Sequence, residues 1–275
     1  MQAHLSCPCL TFCLPAPQDN GWRPAFFDEE VNEVYEGELQ DGSREGLGAC
    51  VFCSNANSIY EGEWHGGREH GKGILMTSQR DTVYDGEWVD GKLHGHGCFY
   101  FPSGDMYTGD WRENMRHGKG TYLLASGSRF EGEWKENLRS GKGTFEWPDS
   151  SIYVGDWLRD KRHGRGKLSL ANGFCYEGQW ADNGFEGRGV CTYPDGQRYE
   201  GMWKAGKKEG RGTLSFPNGA SYEGRFREDR IDGQGTLHLP QPVPGSLDGD
   251  WMIPIEFQSD LVRIHEKAGF DRVGM

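Results

Sequence analysis

Along residues 107–122, YTGDWRENMRHGKGTY, apolar and polar positions alternate instead of clustering. Tyr107, Gly109 and Trp111 take every second place, with Thr108 and Asp110 between them. A period of two predicts a strand. Gly118, Gly120 and Tyr122 alternate in the same way with Lys119 and Thr121, which predicts a second strand. The stretch RENMRH lies between them, and no apolar run is long enough to build a conventional core.

The same pattern recurs nine times, with aromatic starts at Tyr35, Tyr60, Tyr84, Tyr107, Phe130, Tyr153, Tyr176, Tyr199 and Tyr222. From Tyr84 onward the step is always 23 residues; the first two steps are 25 and 24. Two places after each start is a glycine, and two places further are Leu39, then a Trp from Trp64 to Trp203, then Phe226. Eleven and thirteen places after each start come two more glycines, as at Gly118 and Gly120. A fixed period of this kind defines a repeat architecture and outranks any single-segment reading. A degenerate tenth start, LDGDW, falls at Leu247–Trp251.

Seven places after each start stands Gly, Asn or Asp, the residues that best tolerate positive φ in a reversing chain. Each unit therefore reads as a β-hairpin. Pro102-Ser103-Gly104, Pro194-Asp195-Gly196 and Pro217-Asn218-Gly219 supply tight turns between units. Hairpin after hairpin, without a crossover long enough for a helix, predicts an antiparallel meander. A symmetric hairpin would put Tyr107 opposite Tyr122, Gly109 opposite Gly120 and Trp111 opposite Gly118, the glycines making room for flat indoles. The same register would pair Asp110 with Lys119, Glu63 with Lys72, Glu133 with Lys142 and Asp156 with Arg165, and it breaks down at Met202 and Arg225. The expected fold is all-β: a twisted single-layer sheet of eighteen strands, roughly 85 Å long at ~4.8 Å per strand, with one aromatic and one charged face.

The units YEGEWHGGREHGKG at 60–73, YTGDWRENMRHGKG at 107–120 and YEGMWKAGKKEGRG at 199–212 resemble the MORN (membrane occupation and recognition nexus) repeat. The resemblance covers residues 35 to 239, the array. It implies a non-catalytic scaffold whose sheet holds a helical or extended segment of a protein partner, in a cytoskeletal or ciliary setting; some arrays of this kind touch lipid instead. About 36 residues follow the array, too few for the kinase or methyltransferase domains fused to some relatives.

Composition narrows this further. Thirty basic against 42 acidic residues give a net charge of −12, which disfavours nucleic acid and anionic membrane. A basic stripe through Arg165, Arg188 and Arg211 is the feature that would reopen the lipid-tether alternative. No apolar run reaches the ~20 residues of a membrane-spanning helix. The start, MQAHLSCPCLTFCLPAP, has no Lys or Arg before its apolar stretch and is broken by prolines, so residues 1–30 read as a disordered tail. Cys7, Cys9 and Cys13 crowd that tail, with lipidation the alternative to a plain tail. Cys50 and Cys53 form a lone CxxC with no second pair at zinc spacing, and read as free thiols of a reducing, cytoplasmic compartment.

No catalytic, metal or cofactor site is expected. His70, His94, His117 and His163 recur once per repeat, two strand spacings apart, too far for one ion. The repeated Glu pairs, Glu61 with Glu63 and Glu131 with Glu133, sit on a solvated face. The candidate partner surface is the aromatic face: Tyr60, Trp64, Tyr84, Trp88, Tyr107, Trp111, Phe130, Trp134, Tyr153, Trp157, Tyr176, Trp180, Tyr199 and Trp203. Beyond a proline-rich linker at 240–251, residues 252–275 contain Phe257, Leu261, Ile264 and Ala268 at i, i+4, i+7 and i+11, which predicts a short amphipathic helix. That helix is expected to dock on the aromatic face near Tyr199, Trp203, Tyr222 and Phe226, or to serve a partner in trans.

Overall fold

The alternation of Tyr, Gly and Trp becomes a strand in every repeat. The computed structural model describes residues 22–28, 32–53, 57–240, 252–258 and 261–264. The chain divides into two units, Met1–Gly97 and Cys98–Met275. The first contains β1 (Trp22–Asp28), β2 (Glu33–Gln40), β3 (Ser43–Phe52), β4 (Ser58–His65), β5 (Arg68–Met76) and β6 (Thr82–Val89). These six pair in sequence, all antiparallel. β7 (Lys92–Tyr100) runs across the division.

The second unit continues with β8 (Met106–Arg112), β9 (Met115–Leu123), β10 (Arg129–Lys135), β11 (Leu138–Glu146), β12 (Ile152–Leu158), β13 (Lys161–Ser169) and β14 (Cys175–Ala181). It ends with β15 (Gly184–Thr192), β16 (Arg198–Lys204), β17 (Lys207–Ser215), β18 (Ser221–Arg227), β19 (Arg230–His238), β20 (Met252–Gln258) and β21 (Leu261–Ile264). From β8 to β21 each strand pairs antiparallel with the next. No helix occurs among the described residues.

Each hairpin closes with two consecutive left-handed residues, such as Glu113 (φ 51°) with Asn114 (φ 65°) and Asp41 (φ 50°) with Gly42 (φ 78°). This is the type I′ geometry, whose twist matches that of the strands it joins. The tight turns between repeats form where Pro-x-Gly predicts them. Gly104 N–H donates to Phe101 O at 2.9 Å, and Gly219 N–H donates to Phe216 O at 3.0 Å.

The hairpin register departs from a symmetric pairing. Tyr107 faces Tyr122 and Gly109 faces Gly120 as expected, but Trp111 faces Arg116. The turn is centred on residues 113 and 114, so the second strand must absorb two extra residues. In the next hairpin the pairing jumps from Gly132↔Gly143 to Glu133↔Ser140, leaving Gly141 and Lys142 over. The first glycine of each pair takes the left-handed conformation this bulge needs: Gly118 has φ 55° and Gly141 φ 62°. The expected hairpin ion pairs are corrected accordingly. Asp110, Glu63, Glu133 and Asp156 instead accept the backbone N–H of Lys119, Lys72, Lys142 and Arg165, at 2.9, 3.0, 3.2 and 2.8 Å. The charged cross-strand partner comes from the neighbouring repeat, as in Glu133↔Lys119 and the Lys142–Asp156 ion pair.

Both ends extend the sheet beyond the nine repeats. Residues 22–28, within the expected disordered tail, form β1 and pair with β2, with Phe26 opposite Tyr35. An open strand edge and the β-forming sequence WRPAFFD account for this. At the other end, the expected helix through Phe257, Leu261 and Ile264 is replaced by strands. β20 pairs along β19, with Ile253 opposite Leu237, Ile255 opposite Gly235 and Phe257 opposite Gly233, and β21 folds back on β20. The expected docking on the aromatic face is likewise replaced by in-plane pairing. The period-two spacing of Ile253, Ile255 and Phe257 satisfies a strand, and the unpaired edge of β19 supplies backbone partners that a short isolated helix would lack. Residues 1–21, with Cys7, Cys9 and Cys13, lie outside the described residues, as do Leu247–Trp251 and Ala268.

Candidate binding surfaces

The aromatic face is a self-packed ladder. Tyr60, Tyr84, Tyr107, Tyr153, Tyr176 and Tyr199 are 0% exposed and Phe130 1%; Trp64, Trp88, Trp111, Trp134, Trp157, Trp180 and Trp203 are 3–6% exposed. Each Tyr lies across the second glycine of its own hairpin. A Cβ placed at Gly120 would meet the Tyr107 hydroxyl at 2.3 Å, and one at Gly166 would meet that of Tyr153 at 2.3 Å. The ring thus reaches over the strands to the far side of its own hairpin. From there the Tyr107 hydroxyl donates back to Asp110 O of its own strand at 3.0 Å, and the Tyr153 and Tyr176 hydroxyls donate in the same way to Asp156 O and Gln179 O at 3.0 and 2.8 Å.

The indoles stand edge-on between these rings. Tyr153 meets Trp157 at 5.2 Å and Trp180 at 5.1 Å, with interplanar angles of 89° and 83°. Each such pair is worth ~0.5–1.5 kcal/mol beyond its buried area. In the later repeats the indole N–H donates to the glycine carbonyl of the preceding repeat: Trp134 to Gly120 at 3.1 Å, Trp157 to Gly143 at 3.2 Å, Trp180 to Gly166 at 3.0 Å. Burial pushes the phenols up, Tyr199 to about 12. Arg116, Arg139 and Arg162 lie over Trp134, Trp157 and Trp180 at 4.5, 4.5 and 4.6 Å. The rings expected to meet a partner are therefore occupied by one another, and their role in the structure is to hold the single layer together.

The opposite face is open. In the late repeats it carries a groove of about 1100 Å³ crossing β14 to β19. Along its middle runs the glycine row Gly189, Gly201, Gly212, Gly224 and Gly235; Arg188, Met202, Arg211 and Arg225 stand on one side, and Glu177, Glu200 and Glu223, alternating with Val190, Thr213 and Thr236, on the other. Six strands at ~4.8 Å make this groove about 24 Å long. The irregularity at Met202 and Arg225 was the sequence signal for this region. What it lacked was the true register, which brings Arg211 opposite Arg225 and Arg188 opposite Met202.

Other expected features are structural in their contacts. The carbonyls of His70 and His117 accept from Tyr60 and Tyr107 at 3.2 and 3.4 Å. Among the described residues no His, Cys, Asp and Glu cluster could hold a metal ion. Cys50, Cys53, Cys98, Cys175 and Cys191 are free, and burial pushes the Cys191 thiol up to about 11. Among the described residues no helix is long and apolar enough to cross a membrane.

The family model described as "MORN repeat" matches residues 35–56, 60–78, 84–106, 107–129, 130–152, 153–174, 176–198, 199–221 and 222–241. No curated protein matches the chain. Among solved structures, the TCP10 domain of Danio rerio CPAP in complex with a STIL peptide is 12% identical, with 85% of this chain and 97% of that chain covered and a TM-score of 0.45. The Drosophila melanogaster SAS-4 TCP domain, in complex with a proline-rich motif of Ana2, is 13% identical over 63% of this chain and 85% of that one, TM-score 0.35. A streptogramin B lyase is 10% identical over 92% and 85%, TM-score 0.16.

Proposed function

The chain belongs to the MORN-repeat proteins, and from that premise we propose that it is a non-catalytic scaffold that holds a segment of a protein partner along the open face of its sheet. The observation that carries this reading is the groove over β14 to β19. Its length of about 24 Å matches some 16 residues of helix or seven of extended chain, which is the scale of a polypeptide segment. Its glycine-rich floor leaves room for a partner to lie close to the strands. Support for a cytoskeletal or ciliary assembly and a cytoplasmic location comes from the family resemblance alone.

A photo-crosslinking residue at Val190 or Thr213, in the groove lining, tests the reading. The expected result is a covalent adduct with a defined polypeptide in cells, absent when the same residue is placed at exposed Val154 or Leu158 outside the groove. Adducts with lipid, or equal labelling at all four positions, would reject the groove as a protein site.

A further inference from the structure

The charge of the groove identifies what kind of segment it takes, and this step rests on the scaffold reading above. In the earlier repeats the lysine between the two paired glycines has a carboxylate directly opposite in the next repeat: Lys72↔Glu87, Lys119↔Glu133, Lys142↔Asp156. From β13 onward that carboxylate is gone. Arg165 faces Gln179, Arg188 faces Met202, and Arg211 faces Arg225. Two carboxylates on the acidic side of the groove are compensated elsewhere: Glu177 pairs with Lys167 at 3.6 Å and Glu200 with Arg198 at 2.7 Å; Glu223 has only His238, at 4.0 Å, which balances it when protonated. Asp232 pairs with Arg227 at 3.3 Å. Among the described residues, Arg188, Arg211 and Arg225 have no ion pair.

We propose that the groove of the late repeats binds an acidic protein segment, whose carboxylates take the places that Met202 and Arg225 leave without negative charge. Two guanidinium groups directly opposed across strands repel one another, and a carboxylate between them turns that repulsion into charge-assisted hydrogen bonds. Arg188 and Arg211 stand two strands apart, about 10 Å. Carboxylates seven residues apart on a helix repeat at ~10.5 Å, so one flank of an acidic helix meets both. A membrane fits less well. It would press an anionic plane against the whole acidic molecule, including the exposed carboxylates beside the groove, whereas a segment places its charges only where the arginines are.

The test selects peptides from a random display library on the full chain and, in parallel, on an R211Q/R225Q variant. Because the substitutions remove a repulsive pair, the variant is expected to melt no lower than the parent, which separates a charge effect from misfolding. The expected result is enrichment of Glu and Asp at seven-residue spacing on the parent, and at least tenfold weaker binding of those peptides to the variant. Selected peptides without acidic excess would overturn the proposal while leaving the scaffold reading intact. Failure to select any peptide would reject the groove as a peptide site altogether. Binding to phosphatidylserine vesicles that the same substitutions abolish would assign the arginines to a lipid surface and overturn the proposal.

Discussion

A single methyl group at Gly120 would collide with the Tyr107 ring, at 2.3 Å from its hydroxyl oxygen and 2.5 Å from Cζ. Neither side can give way, because the ring is wedged between Trp111 and Trp134 at 5.1 and 5.4 Å. Gly120→Val is therefore expected to cost ~2 kcal/mol or more, the range of forced overpacking, measured by urea or thermal unfolding. Gly206→Asn is the matched control: it has the left-handed φ of 83° with nothing within 4 Å, and Asn137 fills the same slot with φ 69°. It should change stability by less than about 0.5 kcal/mol, as an ordinary surface change does. Equal melts for Gly120→Val and the parent would remove the tyrosine-on-glycine contact as a source of stability. The need for glycine here was legible in the sequence, but its occupant was not. A symmetric hairpin gives the space to Trp111, while the bulge moves Trp111 away and leaves it to Tyr107.

At the scale of the element, successive hairpins are knitted through their turns. The Asn137 side chain accepts from Arg116 N–H at 2.9 Å, and Asn137 N–H donates to Arg116 O at 3.0 Å. Asp160 with Arg139, and Asn183 with Arg162, repeat the pattern at 3.0 and 2.9 Å. Two contributions can be separated here. Asn137→Gly keeps the left-handed backbone and loses the acceptor, which should cost ~1 kcal/mol. Asn137→Ala loses both and should cost ~2 kcal/mol or more. Identical losses for the two variants would mean that the backbone conformation carries no strain. The existence of the hairpins, their turn residues and their order were all readable from the nine-fold period. The bulge was not, because a period-two pattern carries no mark of extra residues beside the turn. The available signal was the position of Asn114 itself: a two-residue turn closing on 113 and 114 cannot keep Gly109 opposite Gly120 without two residues to spare.

At the scale of the whole molecule, the question is how a sheet of repeats ends. The sequence pattern at Phe257, Leu261 and Ile264 fits a helix over a short window, yet the same residues lie in β20 and β21. Short apolar patterns do not distinguish the two, and what decides is non-local: β19 ends the array with a row of unpaired N–H and C=O groups. Pairing Met252–Gln258 along it satisfies those groups, and the chain supplies this cover without a tenth Tyr-Gly-Trp strand of its own. Removing residues 252–275 should therefore uncover β19. The amides of Arg230–His238 that donate toward β20 should then exchange at least tenfold faster, and the shortened protein should self-associate with rising concentration in light scattering. The groove over β14 to β18 should be unaffected, since its lining residues there belong to strands that keep both neighbours. Unchanged exchange across β19, together with a monodisperse truncated protein, would show that the tail strands do not protect this edge in solution.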